Sequence, residues 1–411
     1  MRCAALVVVA VVAVTAIGCR SPSVRDRSTT TEGEPAPAPA RRESIPAAGD
    51  AAMDADTSAD ASAGAAPSTP AQSALPRTPT ARPLPPARHL LAPFGRTKAR
   101  GFVAITNIDR AVPERERRAI LALPAATTDA LDVDRPVLVA SFTKLFTAVA
   151  ALRLIEQKAL SLDDTIATTL PELASRPWAS STVRELLSHT SLVPDFDEKS
   201  GFYRRVDVDF SSPAAVLAQH VPRSWAEKRG VYKYRNAELA IVGAILAERG
   251  KAPAGDLLAR EVFEPSGMKH AGLLVGRAPP GLDLTPMGPI RPQNFFTAGA
   301  GYASPADLLA FFEALAGSAL LTPASKALLV DGAPARGHGA LGCWAYPFAS
   351  PDGGTTPLVE RPGSFGNVRL FSAFFPDEGR AIVAWNGDGV DIARPRAGKG
   401  IGLSLARAAL E

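Results

Sequence analysis

From residue 97 onward the apolar positions change period several times, and each change marks a predicted element. Gly101-Phe102-Val103-Ala104-Ile105-Thr106 is a short run of β-formers and reads as a strand. Over 141–157, Leu145, Ala148, Val149, Leu152 and Ile155 recur at three- and four-residue spacing, the signature of one helix face. Residues 237–249 form a second apolar helix, which Gly250 is expected to close. Ser304-Pro305-Ala306-Asp307 opens a third, with Ser304 as N-cap and Pro305 in the first turn, and it continues through Leu308 to Phe312. Toward the end, Val368 to Phe375 and Arg380 to Trp385 read as strands around a Pro376-Asp377-Glu378-Gly379 turn. A terminal helix over 402–410 puts Leu403, Ala406 and Leu410 on one side. Strands at both ends with helices between predict one α+β domain over residues 96–411, an antiparallel sheet flanked by helices.

The N-terminal part follows a different pattern. Met1-Arg2 precedes an apolar stretch from Ala4 to Ala16, which matches a signal peptide over residues 1–19. The stretch is shorter than the ~20 residues a membrane-spanning helix needs. It ends Ala16-Ile17-Gly18-Cys19, similar to the bacterial lipobox, with Ala where Leu is usual; Cys19 is the expected lipidation site. Residues 20–95 are dominated by Ala, Pro, Ser, Thr and Asp, with Phe94 as the single aromatic. So few large apolar groups cannot offset the ordering entropy, so a disordered, extended tether is expected. Together these predict an exported, membrane-anchored lipoprotein whose domain sits in the periplasm or at the cell surface.

Composition narrows the chemistry mainly by exclusion. Hydrophobic residues make up 46% and charged residues 21% of the chain, so a sizeable core is available. A net charge of +4 over 411 residues, without a basic run or an aromatic-interleaved stripe, argues against nucleic acid as a partner. Cys3 and Cys19 lie in the leader, leaving Cys343 alone in the domain and no intradomain disulfide. Gly342-Cys343-Trp344 offers the thiol no local basic partner, so Cys343 reads as a small buried apolar residue. The five histidines (89, 189, 220, 270 and 338) never fall at metal-ligand spacing, and neither a metal nor another cofactor is expected.

The sequence offers one nucleophile, in Ala140-Ser141-Phe142-Thr143-Lys144. On a helix, residues three apart share a face, so Ser141 Oγ and Lys144 Nζ can meet. A hydroxyl attacks only once a base has taken its proton. A solvated lysine, with a reference pKa of ~10.4, would be protonated; burial against an apolar face lowers that value. The helix N-terminus adds positive potential and free N–H groups for an oxyanion. Ser-x-x-Lys alone is a weak pattern: Ser266-Gly267-Met268-Lys269 is a second copy, placed by Pro265 and Gly267 in a turn.

The surroundings of Ser141 carry more. Val139 to Ala148 resembles the active-site helix of the serine beta-lactamase and penicillin-binding-protein family, in particular class C beta-lactamases, D,D-peptidases and related esterases. Leu162-Asp163-Asp164-Thr165-Ile166, Leu170-Pro171-Glu172, and Val183 through Ser191 with its Leu-Leu-Ser-His-Thr-Ser run look like segments that follow that helix. Tyr234-Arg235-Asn236 resembles the Tyr-x-Asn motif, and Glu264-Pro265-Ser266-Gly267-Met268 the Pro-x-Gly-Met turn. Ala298 to Leu308 is similar to a Gly-rich turn leading into a helix. The likeness spans roughly residues 100–390. It implies the family's fold, with a helical subdomain, and an acyl-enzyme on Ser141 that hydrolyses an amide or ester. It also implies that Lys144 and Tyr234 share the proton work, and that Asn236 orients Lys144 and donates to a substrate amide. His189 belongs to a structural stretch in this reading. Small molecules or peptides, including cell-wall D-amino-acid peptides, are the implied substrates.

The third family motif, a Lys or His followed by Thr or Ser and then Gly, is altered. In Val359-Glu360-Arg361-Pro362-Gly363-Ser364 one overlay sets Arg361 at the basic position, Pro362 at the hydroxyl position and Gly363 at the glycine. Ser364 then supplies the second oxyanion N–H. Another overlay sets Glu360 at the basic position. Arg361 could bind a substrate carboxylate but cannot act as a neutral proton carrier, while Pro362 removes both a hydroxyl and a strand N–H. The alternative reading is therefore a catalytically inactive binding or scaffold lipoprotein that keeps the fold.

Overall fold

The computed structural model describes residues 83–109, 112–125, 131–196, 201–205, 213–223, 225–392 and 398–411. The expected leader, Cys19 and most of the 20–95 segment lie outside the described residues. Ten strands are present among them: β1 (Gly101–Asn107), β2 (Arg118–Ala122), β3 (Val137–Leu138), β4 (Gly272–Leu273), β5 (Gly301–Ala303), β6 (Trp344–Ala349), β7 (Thr355–Glu360), β8 (Gly363–Phe365), β9 (Val368–Phe375) and β10 (Arg380–Asn386). The main sheet runs β2-β1-β10-β9-β7-β6, with β8 also paired to β9, and β3-β5-β4 form a small second sheet. Every pairing is antiparallel. The expected hairpin is β9–β10, in register Ile382↔Ala373, and β1 joins its far side through Ile105↔Ile382.

The central strands show almost no polar alternation because both faces of the sheet are covered. Phe102, Ala104, Leu370, Phe374, Ala381 and Val383 face one core, shared with the helices Thr143–Glu156, Asn236–Gly250 and Pro305–Ala316. Val103, Ile105, Phe371, Phe375, Ile382 and Ala384 face a second core, closed by Leu405, Ala406 and Ala409 of the helix Ile401–Leu410. The period-2 alternation thus sorts residues between two apolar layers.

Several boundaries differ from the sequence reading. The folded body begins before residue 96: the short helix Ala87–Leu91 and the 3-10 turn Ala92–Phe94 bury Leu90 and Phe94 in the second core. Gly250 is the last residue of its helix, as expected, but the left-handed cap position falls on Lys251 at φ 53°. Gly250 serves packing, since a Cβ there would lie 2.5 Å from Leu257 Cδ2. The β6–β7 pair was not anticipated. Its Pro347 and Pro357 face each other across the ladder, which the outermost pairing of the sheet tolerates. Ser304 caps its helix as expected, in a capping box with Asp307. The second Ser-x-x-Lys falls at a helix end, with Gly267 left-handed at φ 74°.

Candidate active site

Ser141 lies in a 3-10 turn, Ala140–Phe142, that feeds the helix Thr143–Glu156. Ala140 has φ 49°, a left-handed conformation that non-glycine residues seldom adopt. The sharp corner is held by Thr143, whose hydroxyl donates to Ala140 O at 2.6 Å and accepts from Gly301 N–H at 2.9 Å. Val139 N–H in turn donates to Gly301 O at 3.0 Å. The turn presents Ser141 half-buried at the end of an otherwise buried helix.

Two side chains converge on its hydroxyl. Lys144, one turn further on, is fully buried and places Nζ 3.1 Å from Ser141 Oγ. The same Nζ donates to Asn236 Oδ1 at 2.8 Å and to Ala298 O at 2.7 Å. Tyr234, from the segment ahead of the helix Asn236–Gly250, brings its hydroxyl to 2.7 Å from Ser141 Oγ. That helix starts where it does because the Asp195 carboxylate accepts from Asn236 N–H and Ala237 N–H. Gly243 allows the 292–298 segment close approach, with Thr297 Oγ1 donating to Leu239 O at 2.7 Å, and so sets Ala298 over Lys144. Asn236 is buried, and among the described residues its Nδ2 has no partner.

The altered third motif forms the remaining wall. Arg361, between β7 and β8, is buried; its Nε donates to Ser141 O and its Nη2 to the Tyr234 hydroxyl, each at 2.8 Å. Glu360 is buried as well, and its carboxylate accepts from the Tyr346 hydroxyl. Of the two overlays, the one with Arg361 at the basic position matches the geometry. Both hydrogen bonds of the guanidinium are internal, to the Ser141 turn and to Tyr234. Gly363 packs on that turn: a Cβ there would stand 2.2 Å from Val139 O and 3.2 Å from Phe142 N. Ser364 follows on β8 opposite Arg369, and its buried hydroxyl has no partner among the described residues.

The electrostatics follow from this packing. Burial pushes the Lys144 ammonium down to about 8, helped by the positive charge of Arg361 and opposed by Tyr234. Burial alone would raise the Tyr234 phenol, but Arg361 and Lys144 outweigh it and bring it down to about 8 as well. Burial pushes the Cys343 thiol up to about 12, in keeping with an inert buried residue.

Sequence reasoning missed what stands behind Tyr234. His189, left-handed at φ 57°, lies with its ring centroid 4.7 Å from that of Tyr234. Its Nδ1 is 2.5 Å from Glu238 Oε2, and Glu238 also takes Ser191 Oγ at 2.6 Å and Arg235 Nη1 at 3.3 Å. Burial lowers His189 well below its ordinary value and raises Glu238 to about 8. Glu238 and Asp195 give no sequence signal, because a charged residue is legible as buried only when its partners, here more than 40 positions away, are known.

Comparison with known proteins agrees with this arrangement. The family model described as Beta-lactamase matches residues 111–396. A Bacillus subtilis (strain 168) protein named "Putative penicillin-binding protein PbpX" is 26% identical over 250 residues, covering 57% of this chain and 61% of that relative's length. Among solved structures, a penicillin-binding protein from Bacillus halodurans superposes with a TM-score of 0.58 at 21% identity, covering 73% of this chain and 94% of that one. A D-amino acid amidase from Ochrobactrum anthropi SV3, complexed with D-phenylalanine, superposes at 0.61 with 18% identity, covering 78% and 97%. With about two thirds of its residues inside the family match, around a buried Ser-x-x-Lys and a Tyr-x-Asn that meet at one hydroxyl, the chain belongs to the beta-lactamase family.

Proposed function

We propose that the protein is a serine hydrolase that cleaves an amide or ester through an acyl-enzyme on Ser141. The observation that carries this reading is the convergence of Lys144 Nζ and Tyr234 OH on Ser141 Oγ, at 3.1 and 2.7 Å. Lys144 and Tyr234 titrate as a coupled pair near 8. Once the pair has lost one proton, the vacancy lies within hydrogen-bond reach of Ser141 whichever partner carries it. The pair then takes the hydroxyl proton as Oγ attacks the carbonyl carbon, and returns it to the departing amine or alkoxide. A water molecule reverses the sequence: its proton goes to the pair, its oxygen to the acyl carbon, and Ser141 recovers its proton. The backbone N–H groups of Ser141 and Ser364 would bind the oxyanion. The free Nδ2 of Asn236 suits a substrate carbonyl beside the scissile bond.

D-amino-acid amides and peptides are the first substrates to try, given the likeness to D-amino acid amidase and to a D-stereospecific amidohydrolase from Streptomyces sp.. A fluorophosphonate or a fluorescent penicillin should label the protein, and Ser141→Ala should abolish labelling. Turnover of chromogenic esters, a cephalosporin and D-amino-acid amides should then rank the substrates. No labelling and no turnover by folded protein would favour a non-catalytic binding role instead. The lipid anchor belongs to the same proposal: the apolar run ending at Cys19 supports it, and radiolabelled palmitate incorporation lost in Cys19→Ala tests it.

A further inference from the structure

The geometry points to Arg361 as a positioning residue for nucleophile activation, a fixed cation that ties the Ser141 turn to the Tyr234 hydroxyl, and not as an anchor for a substrate carboxylate. This rests on Ser141 being the nucleophile and Tyr234 part of its base. The guanidinium reaches two different elements from one edge: Nε donates to Ser141 O and Nη2 to the Tyr234 hydroxyl, both at 2.8 Å. Its carbon also lies 5.0 Å from the Trp344 ring centroid and 5.3 Å from that of Tyr234, so aromatic surface packs around it. Arg361 is only 2% exposed, and its own carbonyl is held by Ser372 Oγ at 2.9 Å. A planar fork can span two acceptors that diverge in this way; the point charge of an ammonium cannot do so at the same distances.

A charge this close to the phenol also sets when the base is available. The charged and titratable groups around Tyr234 and Arg361 are Lys144 on the nucleophile helix, His189 backed by Glu238 and Arg235, Asp195 at the start of the next helix, and Cys343 ahead of β6. His189 is held neutral by burial. Arg235 is paired with Glu227 and Glu238, so Lys144 and Arg361 are the cations acting on the phenol. Arg361 lowers both Tyr234 and Lys144, so its loss must raise both and move the onset of reactivity to higher pH. A carboxylate bound at Arg361 would cancel the same field.

The test is the second-order rate constant for labelling Ser141 with a neutral fluorophosphonate, followed from pH 5.5 to 10. Because the probe lacks a carboxylate, a substrate-anchor role predicts no change for any Arg361 variant. The expected result for Arg361→Gln is a rate about 10–100-fold lower at pH 7, with the rising limb displaced upward by about one pH unit or more. Arg361→Lys should keep the limb near its wild-type position, because the charge remains, while losing rate through the broken bridge. A wild-type rate and profile in Arg361→Gln, with a raised KM confined to carboxylate-bearing esters, would overturn the inference. Should Arg361→Gln fail to fold, Arg361→Lys decides, and a wild-type rate there is equally fatal. Wild-type protein that is not labelled at Ser141 fails the nucleophile reading itself, a separate outcome.

Discussion

Gly363 offers a direct steric test of how closely β8 must approach the Ser141 turn. A methyl group at this position would stand 2.2 Å from Val139 O, and ordinary contacts of this kind stop near 3.0 Å, so strand and turn must part by about 0.8 Å. The φ of Gly363 lies outside the left-handed region, so alanine brings no backbone penalty and the effect is one of space alone. If the strand retreats, Ser364 N–H moves off the oxyanion and Arg361, two residues earlier, is dragged with it. Misplacement of a catalytic constellation by about 1 Å costs on the order of 10²-fold in rate. If the strand holds instead, the overpacking appears as about 1–3 kcal/mol of lost stability. Gly363→Ala should therefore show Ser141 labelling reduced about 100-fold, or a clearly lower melting temperature, or a share of both. Labelling kinetics and thermal unfolding on the same preparation separate the two. Wild-type rate together with wild-type melting would refute the claim that this glycine sets the distance between β8 and the nucleophile.

Other expectations follow from the same geometry. The wild-type acylation rate should climb with pH around an apparent midpoint near 8, as the Lys144–Tyr234 pair loses its proton; a plateau already complete at pH 6 would contradict the assignment. Tyr234→Phe keeps the ring packed against His189 but deletes the hydroxyl, so the acylation rate should drop about 10²–10⁴-fold with little change in melting temperature; near-normal acylation would remove Tyr234 from the base. The buried His189–Glu238 pair holds one proton up to about pH 8, on Glu238. In the unfolded chain an ordinary histidine releases its proton around pH 6.5, so folding stability should fall as pH rises from there toward 8, with a slope that approaches about 1.4 kcal/mol per pH unit. Glu238→Gln should flatten that slope in denaturant titrations, and an unchanged slope would place the proton elsewhere. Iodoacetamide should leave Cys343 unmodified in the folded protein, because burial pushes its thiol up to about 12; rapid alkylation at neutral pH would contradict this.

What the sequence determined by itself is what depends on near neighbours. The spacing of Ser141 and Lys144, the Ser304 cap, the β9–β10 turn and the β-forming run of β1 are all set within a few residues, where helix and strand periods act. The order of the short motifs along the chain was enough to indicate the family and, with it, the pairing of Ser141 with Tyr234. Tertiary structure decided the rest. Whether Arg361 or Glu360 would face Ser141 depended on how the segment between β7 and β8 crosses the Ser141 turn, and on Gly363 allowing that approach. The burial of His189 and Glu238 behind Tyr234 depended on partners tens of residues apart in the chain. The reactivity of Lys144 is of the same kind: its ammonium is lowered because three distant elements exclude water from it, and exclusion of water is a property of packing that no local pattern records.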